Sequence, residues 1–212
     1  MADILPISSF LGTRLLDEGF HPSGNQIDKG EALLWAAKED SLELVRRLIE
    51  NDADVNSQDD AGRTALHFAA QNASCDILSL LYRENAKVEA GNNRGQTPLH
   101  FSIIGTQMET LLLLCRSCGA EVDGPDNDGR TPLMVAARGG QSDMIETLMR
   151  EFGADITRKD YEGLSALHHA SVCGYPRAME LLINLGASPL WVDNNRNTPL
   201  HWAAWNNKLE VA

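Results

Sequence analysis

The chain is poor in the residues that mark several classes of protein. Its 212 residues include four cysteines and 6% aromatic residues, with 18 lysines and arginines against 30 aspartates and glutamates. So few cysteines do not make a disulfide framework. The net charge of -12 repels phosphate backbones and anionic lipid surfaces. We therefore expect no nucleic-acid ligand and no direct membrane contact, and a cytoplasmic or nuclear protein.

Long apolar runs and catalytic motifs are also missing. The longest strongly apolar run, residues 111–115, is far below the roughly 18 residues that a membrane span needs. The first residues show no basic stretch ahead of an apolar one, which argues against a secretory signal. We find no P-loop, no G-x-S-x-G and no H-E-x-x-H pattern. We expect no enzymatic activity, no cofactor and no metal.

What the chain has is internal repetition. The tetrapeptide TPLH, or a variant of it, returns at a spacing of 33 or 34 residues, starting at Thr64, Thr97, Thr131, Ser165 and Thr198. One further step back reaches EALLWAA from Glu31, which resembles TALHFAA without its Thr and His. A fixed period of this length is typical of repeat architectures. Six units are therefore predicted.

Each unit carries the signals of two short helices. The Thr or Ser is a good N-cap, and Pro at the next position suits the first turn of a helix. A break such as Gly140 precedes a second, amphipathic helix, such as LELVRRLIE from Leu42. The connecting stretches, such as DNDGR from Asp126, have the composition of tight turns. We expect these turns to be exposed tips.

The pattern D-x-x-G-x-T-P-L-H-x-A-A, followed by a second helix that ends G-A-D-V-N, resembles the ankyrin repeat. The resemblance covers residues 31–212. It implies an all-α solenoid of stacked helix–turn–helix units with β-hairpin-like tips, and a module that binds other proteins. Residues 1–30 lie outside the repeat, and SSFLGTRLLDEG from Ser8 predicts a short helix that covers the first unit.

Three units depart from the pattern. Glu31 stands in place of the capping Thr, so we interpret the first unit as a degenerate cap. Met134 stands in place of the His. The last unit stops at LEVA, inside its expected second helix, which leads us to expect a fragment of a longer protein.

Histidines recur at one place in the repeat and invite a metal-site interpretation; they are His67, His100, His168 and His201. Packed helices lie about 8–10 Å apart, whereas metal–ligand bonds are about 2 Å long. One ion cannot bridge two units. We expect each imidazole to bond to its hydroxyl cap and to the neighbouring turn, and the extra His169 to lie on the exposed side of its helix.

The stretch Cys115-Arg116-Ser117-Cys118 has the spacing of a metal or redox motif. It lacks the second pair of ligands that a zinc site needs, and it falls at a helix C-terminus, where the helix dipole disfavours a thiolate. We expect Cys115 in the core and Cys118 at its boundary.

Asn56 ends the stretch LIENDADVN. By its resemblance to ankyrin repeats, this position corresponds to a substrate site of asparaginyl hydroxylation. The alternative is that Asn56 only caps its loop, and the sequence leaves both open.

The family resemblance also places the partner-binding side chains: four, three and one residues before the Thr, and seven and eight after it. The early units offer arginines at these places and the late units apolar residues; the candidates are Arg63, Arg94, Gln96, Arg130, Arg138, Tyr161, Leu164, Val172 and Trp205. Interface hot spots favour Trp, Tyr and Arg. We expect a protein or peptide ligand with an acidic portion over the middle units and an apolar anchor near Tyr161 and Trp205.

Two alternatives concern the late units and the whole chain. A further repeat could cover Trp205. The position after the His is expected to be occupied by semi-buried packing residues; they are Trp35, Phe68, Phe101, Val135 and Trp202.

The leading prediction is a monomeric binding module or scaffold. The alternatives are a regulatory or targeting region of a larger enzyme or membrane protein whose active part lies beyond Ala212, and a structural spacer.

Overall fold

The computed structural model describes residues 4–5, 9–20 and 27–206. These residues form one two-stranded sheet, of β1 (Ile4–Leu5) and β2 (Ile27–Asp28), and twelve helices. The helices are α1 (Phe10–Asp17), α2 (Lys29–Lys38), α3 (Leu42–Glu50), α4 (Ala65–Gln71), α5 (Cys75–Arg83), α6 (Pro98–Ile104), α7 (Met108–Arg116), α8 (Pro132–Arg138), α9 (Ser142–Arg150), α10 (Ala166–Cys173), α11 (Pro176–Asn184) and α12 (Pro199–Trp205).

The helices pair into units, and the units stack. Helix α4 packs on α5 within one unit and on α6 of the next unit, and α6, α8, α10 and α12 continue the same row. The small residues of the first helices allow this close stacking; Ala69, Ala136 and Ala170 are completely buried. The predicted all-α solenoid is confirmed.

The predicted caps start the first helices. Thr64, Thr97, Ser165 and Thr198 each form a capping box with the residue three positions on. Pro follows the cap in α6, α8 and α12, where its missing N–H costs nothing. The first helices of the second to sixth units are seven or eight residues long, about two turns. Gly140 and Gly174 turn the chain into the next helix at φ values of 66° and 73°.

The first unit begins earlier than its alignment suggests. Helix α2 starts at Lys29, and the side chain of Asp28 accepts the backbone N–H of Glu31 at 2.8 Å. Glu31 therefore does not replace the cap, because Asp28 supplies a cap three residues before it. The unit is atypical in length rather than uncapped.

The segment before the repeats covers the first unit. Ser9 caps α1 by accepting the N–H of Gly12 at 3.0 Å. Leu11 and Leu15 join the hydrophobic core, and the ring of Phe20 packs edge-on against Trp35 with centroids 5.6 Å apart. Helix α1 lies within the stretch for which a short helix was predicted. The expected second helix of the last unit, with LEVA, lies outside the described residues.

In the described part of the chain, no helix is long and apolar enough to cross a membrane.

Candidate protein-binding surface

Each tip is built on one aspartate or asparagine. The backbone N–H of Asp126 donates to the carbonyl oxygen of Arg130 at 2.9 Å, and its Oδ1 accepts the N–H groups of Asp128 and Arg130 at 3.0 and 2.9 Å. The same arrangement is found at Asp59, Asn92, Asp160 and Asp193. The tips are therefore tight hairpin-like turns, as predicted.

Backbone hydrogen bonds join the tips into a row. The N–H of Asn127 donates to the carbonyl of Arg94 at 2.9 Å, and that of Tyr161 to the carbonyl of Asp128 at 3.0 Å. Asparagine side chains add a second bond: the amides of Asn93, Asn127 and Asn194 donate to a carbonyl of the preceding tip at 2.8, 3.1 and 2.9 Å. Tyr161 occupies the same slot and cannot make this bond.

In two tips the turn aspartate also holds the arginine four residues on. Arg63 lies 2.7 Å from Asp59 Oδ2 and its guanidinium lies 4.8 Å from the ring centre of Phe68. Arg130 lies 2.9 Å from Asp126 Oδ2. Two of the arginines expected to contact the partner, Arg63 and Arg130, are therefore each paired with an aspartate of their own tip.

In the last two tips, which lack this arginine, a residue of the first helix contacts the turn aspartate. In the fifth unit Nε2 of His169 lies 2.9 Å from Oδ2 of Asp160. In the sixth, Nε1 of Trp202 donates to Oδ2 of Asp193 at 2.9 Å. His169 is 4% exposed, so the prediction that it lies on the exposed side of its helix is wrong. The sequence signal for this buried contact is Leu164, which stands at the position that Arg63 and Arg130 occupy in their tips.

The pKa is lowered in three of the turn aspartates, Asp59, Asp160 and Asp193. Burial raises the pKa of Asp160, but the hydrogen bonds from His169 and from the backbone N–H groups of Leu164 and Glu162 outweigh it, and the net pKa is lowered. Burial likewise raises the pKa of Asp59, but the hydrogen bonds from Arg63 outweigh it, and the net pKa is lowered. Each carboxylate is therefore an ionised part of the architecture.

The repeated histidines act as predicted. Nδ1 of His67 accepts the N–H of Thr64 at 3.0 Å, and its Nε2 lies 2.9 Å from the carbonyl oxygen of Gln96 in the next tip. His100 and His168 repeat both contacts. Since Nδ1 is an acceptor, the proton sits on Nε2 and the ring is neutral. Burial is the largest cause of the lowered pKa of all three rings.

The described residues contain no group of three histidine, cysteine or acidic side chains placed to hold a metal ion. Burial raises the pKa of the Cys115 thiol to about 12 and also raises that of Cys118. The order of burial differs from the prediction, because Cys118 is buried and Cys115 is only half-buried.

Exposure sorts the predicted contact residues into two groups. Four have exposed side chains: Arg94, Arg138, Tyr161 and Trp205. The others are buried or half-buried: Arg63, Gln96, Arg130, Leu164 and Val172. Tyr161 and Trp205 are 72% and 78% exposed, whereas Leu164 is 6% exposed and does not project into solvent as expected.

A groove of about 440 Å³ lies between the tips and first helices of the fourth to sixth units. Its lining includes Tyr161, Val172 and Trp202, with Leu164 buried beneath. The Tyr161 ring rests against the preceding tip: a Cβ built on Gly129 would lie 2.8 Å from its Cδ1. Trp205 stacks on Trp202 with ring centroids 6.0 Å apart. The position after the His is packed as predicted, with Phe68 and Phe101 each 6% exposed.

Asn56 has a clear role in the architecture. It is half-buried, and its Oδ1 accepts the backbone N–H of Lys87 in the next unit at 2.9 Å. Glu89 and Asp123 make the equivalent contact in the two following units. Hydroxylation of Asn56 stays a prediction.

Profiles of ankyrin repeats match most of the chain. Ankyrin repeats (many copies) match residues 33–82, and ankyrin repeats (3 copies) match residues 84–160 and 153–212. The chain belongs to the ankyrin-repeat family, whose members are generally protein–protein interaction modules. No match was found among curated proteins.

Proposed function

We propose that this domain binds a protein or peptide partner on the face formed by the tips and the first helices, and that it catalyses no reaction. The observation that carries the proposal is Tyr161. Its slot holds an asparagine in three other tips, where the amide joins neighbouring tips. The fifth unit gives up that bond and exposes an aromatic ring beside a groove. Exposed aromatic residues of this kind are typical anchors of interfaces.

The charges on the same face support an acidic portion in the partner. Arg94 and Arg138 are exposed, and neither forms an ion pair with another side chain in the described ranges. A carboxylate of the partner would meet these two arginines over the middle units. An apolar side chain of the partner would enter the groove near Tyr161 and Trp205.

Photo-cross-linking from the two faces of the solenoid tests the proposal. A benzophenone amino acid replaces Tyr161 in one variant and Tyr82, which is 40% exposed on the second helix α5, in the control. We expect a specific protein adduct from position 161 that does not form from position 82. Adducts of equal yield and identity from both positions would contradict the proposal.

A further inference from the structure

The groove at Tyr161 has two sides of different chemistry. Asp128 and Glu162 lie on the tips, each three residues before the N-cap of its helix. Arg138 and Val172 lie near the C-terminal ends of α8 and α10, which form the opposite side. A segment that crosses the groove from the tips to the helices therefore passes carboxylates first and a guanidinium last.

Contacts within the protein hold most of the charged groups along the groove in place. Arg130 binds both Asp126 and Asp128. His169 binds Asp160 at 2.9 Å, with both side chains 5% exposed. These groups stabilise the tips and offer little unpaired charge to a ligand.

Two exposed groups of opposite charge are not held in this way. Glu162 on the tip side is exposed, and Arg138 on the helix side is exposed. Neither makes an ion pair with any other residue for which a side chain is described. Between them lie the apolar groups of Tyr161, Val172 and Trp202.

We propose that the groove binds a peptide segment with three successive features: a cationic side chain against Glu162, an apolar side chain between Tyr161 and Trp202, and an anionic side chain against Arg138. This inference rests on the proposed function and makes it more specific. The anionic feature agrees with the acidic portion expected over the middle units. The cationic feature is new, and it fixes the direction in which the partner's charges cross the face.

A phage-displayed library of random peptides, selected on the immobilised protein, tests the pattern without a known partner. Peptides that bind the wild type but not the Tyr161→Asn variant are groove-dependent. We expect them to share an apolar residue with a basic residue on one side and an acidic residue on the other. Asparagine is the residue of the neighbouring tips, so this variant keeps the fold.

Charge reversal then assigns each feature to its residue. Selection on Glu162→Lys should replace the basic residue of the peptides by an acidic one, and selection on Arg138→Glu should replace the acidic residue by a basic one. A wild-type peptide should bind each reversed variant about two- to fivefold more weakly, the range expected for the loss of an exposed ion pair. The controls Glu84→Lys and Arg46→Glu make the same charge changes at exposed sites elsewhere, and should have no effect.

The outcomes separate this inference from the proposed function. Groove-dependent peptides that lack the charge pattern, or that keep it after the reversals, would overturn the inference and leave the binding face standing. A selection that yields no groove-dependent peptide would contradict both.

Discussion

Nε2 of His169 lies 2.9 Å from Oδ2 of Asp160, with both side chains 5% exposed. The second and fourth units solve the same problem with Arg63 and Arg130, and the sixth with Trp202. A turn aspartate with an unpaired buried oxygen is costly. In the fifth and sixth units the loss of the tip arginine is therefore matched by a polar residue in the first helix.

His169→Phe should lower the free energy of unfolding by about 1–3 kcal/mol, because it leaves the buried carboxylate of Asp160 without its side-chain donor. Phe fits the slot in two other units, at Phe68 and Phe101. Urea unfolding measures the change.

Adding Leu164→Arg to His169→Phe should restore at least half of the lost free energy of unfolding. The fifth tip would then carry an arginine at the position where the second and fourth tips have one. A double variant as unstable as His169→Phe alone would show that the Asp160 contact does not carry the effect. Leu164→Arg alone serves as the control.

His100→Met should destabilise the fold by about 2 kcal/mol, because the N–H of Thr97 loses its acceptor and the contact with the carbonyl of Arg130 is lost. The fourth unit already carries Met134 in this slot, so the side chain fits. The reverse change, Met134→His, should stabilise by about 1 kcal/mol at pH 8. If His100→Met and Met134→His changed the free energy of unfolding by the same amount and in the same direction, the role of the imidazole would be contradicted.

The free energy of unfolding should fall as the pH falls below about 6.5. The pKa of His67, His100 and His168 is lowered in the folded protein, chiefly by burial. The unfolded chain, with pKa values near 6.5, then binds more protons than the folded one, so stability rises with pH through that window. Each ring contributes at most about 1.4 kcal/mol per pH unit. His100→Met should reduce the slope between pH 7 and 5, and an unchanged slope would count against this explanation.

Much of the fold could be predicted because short local sequence signals specify it. The caps, the turn residues and the stacking histidines each follow from residue type and spacing, as at Thr97 and His100. The start of α2 was missed because its cap, Asp28, lies outside the repeat register.

The candidate binding face was harder to predict, because the exposure of a side chain depends on contacts with residues that are distant in sequence. Arg63 occupies a contact slot but is held by Asp59, and Leu164 is buried beside its tip. Tyr161 and Trp205, taken from the same contact positions, are 72% and 78% exposed, and their role in binding stays a prediction.

Asn56 hydroxylation is checked by mass analysis of the native protein. The modified peptide would gain the mass of one oxygen atom. Since the side chain already accepts the N–H of Lys87, modification requires a local opening of this turn. If the peptide that carries Asn56 in the native protein shows only the unmodified mass, the prediction of hydroxylation is wrong.

The measurement that tests the account most directly is the dissociation constant of the cross-linked partner for the wild type, Tyr161→Asn and Tyr82→Asn, with urea unfolding of all three. An interface hot spot is worth about 2 kcal/mol or more, so Tyr161→Asn should raise the constant about thirtyfold. Its free energy of unfolding should not fall, because the new amide can bond to the preceding tip. Tyr82→Asn should leave the constant unchanged. An unaltered constant for Tyr161→Asn would contradict the claim that this groove binds the partner.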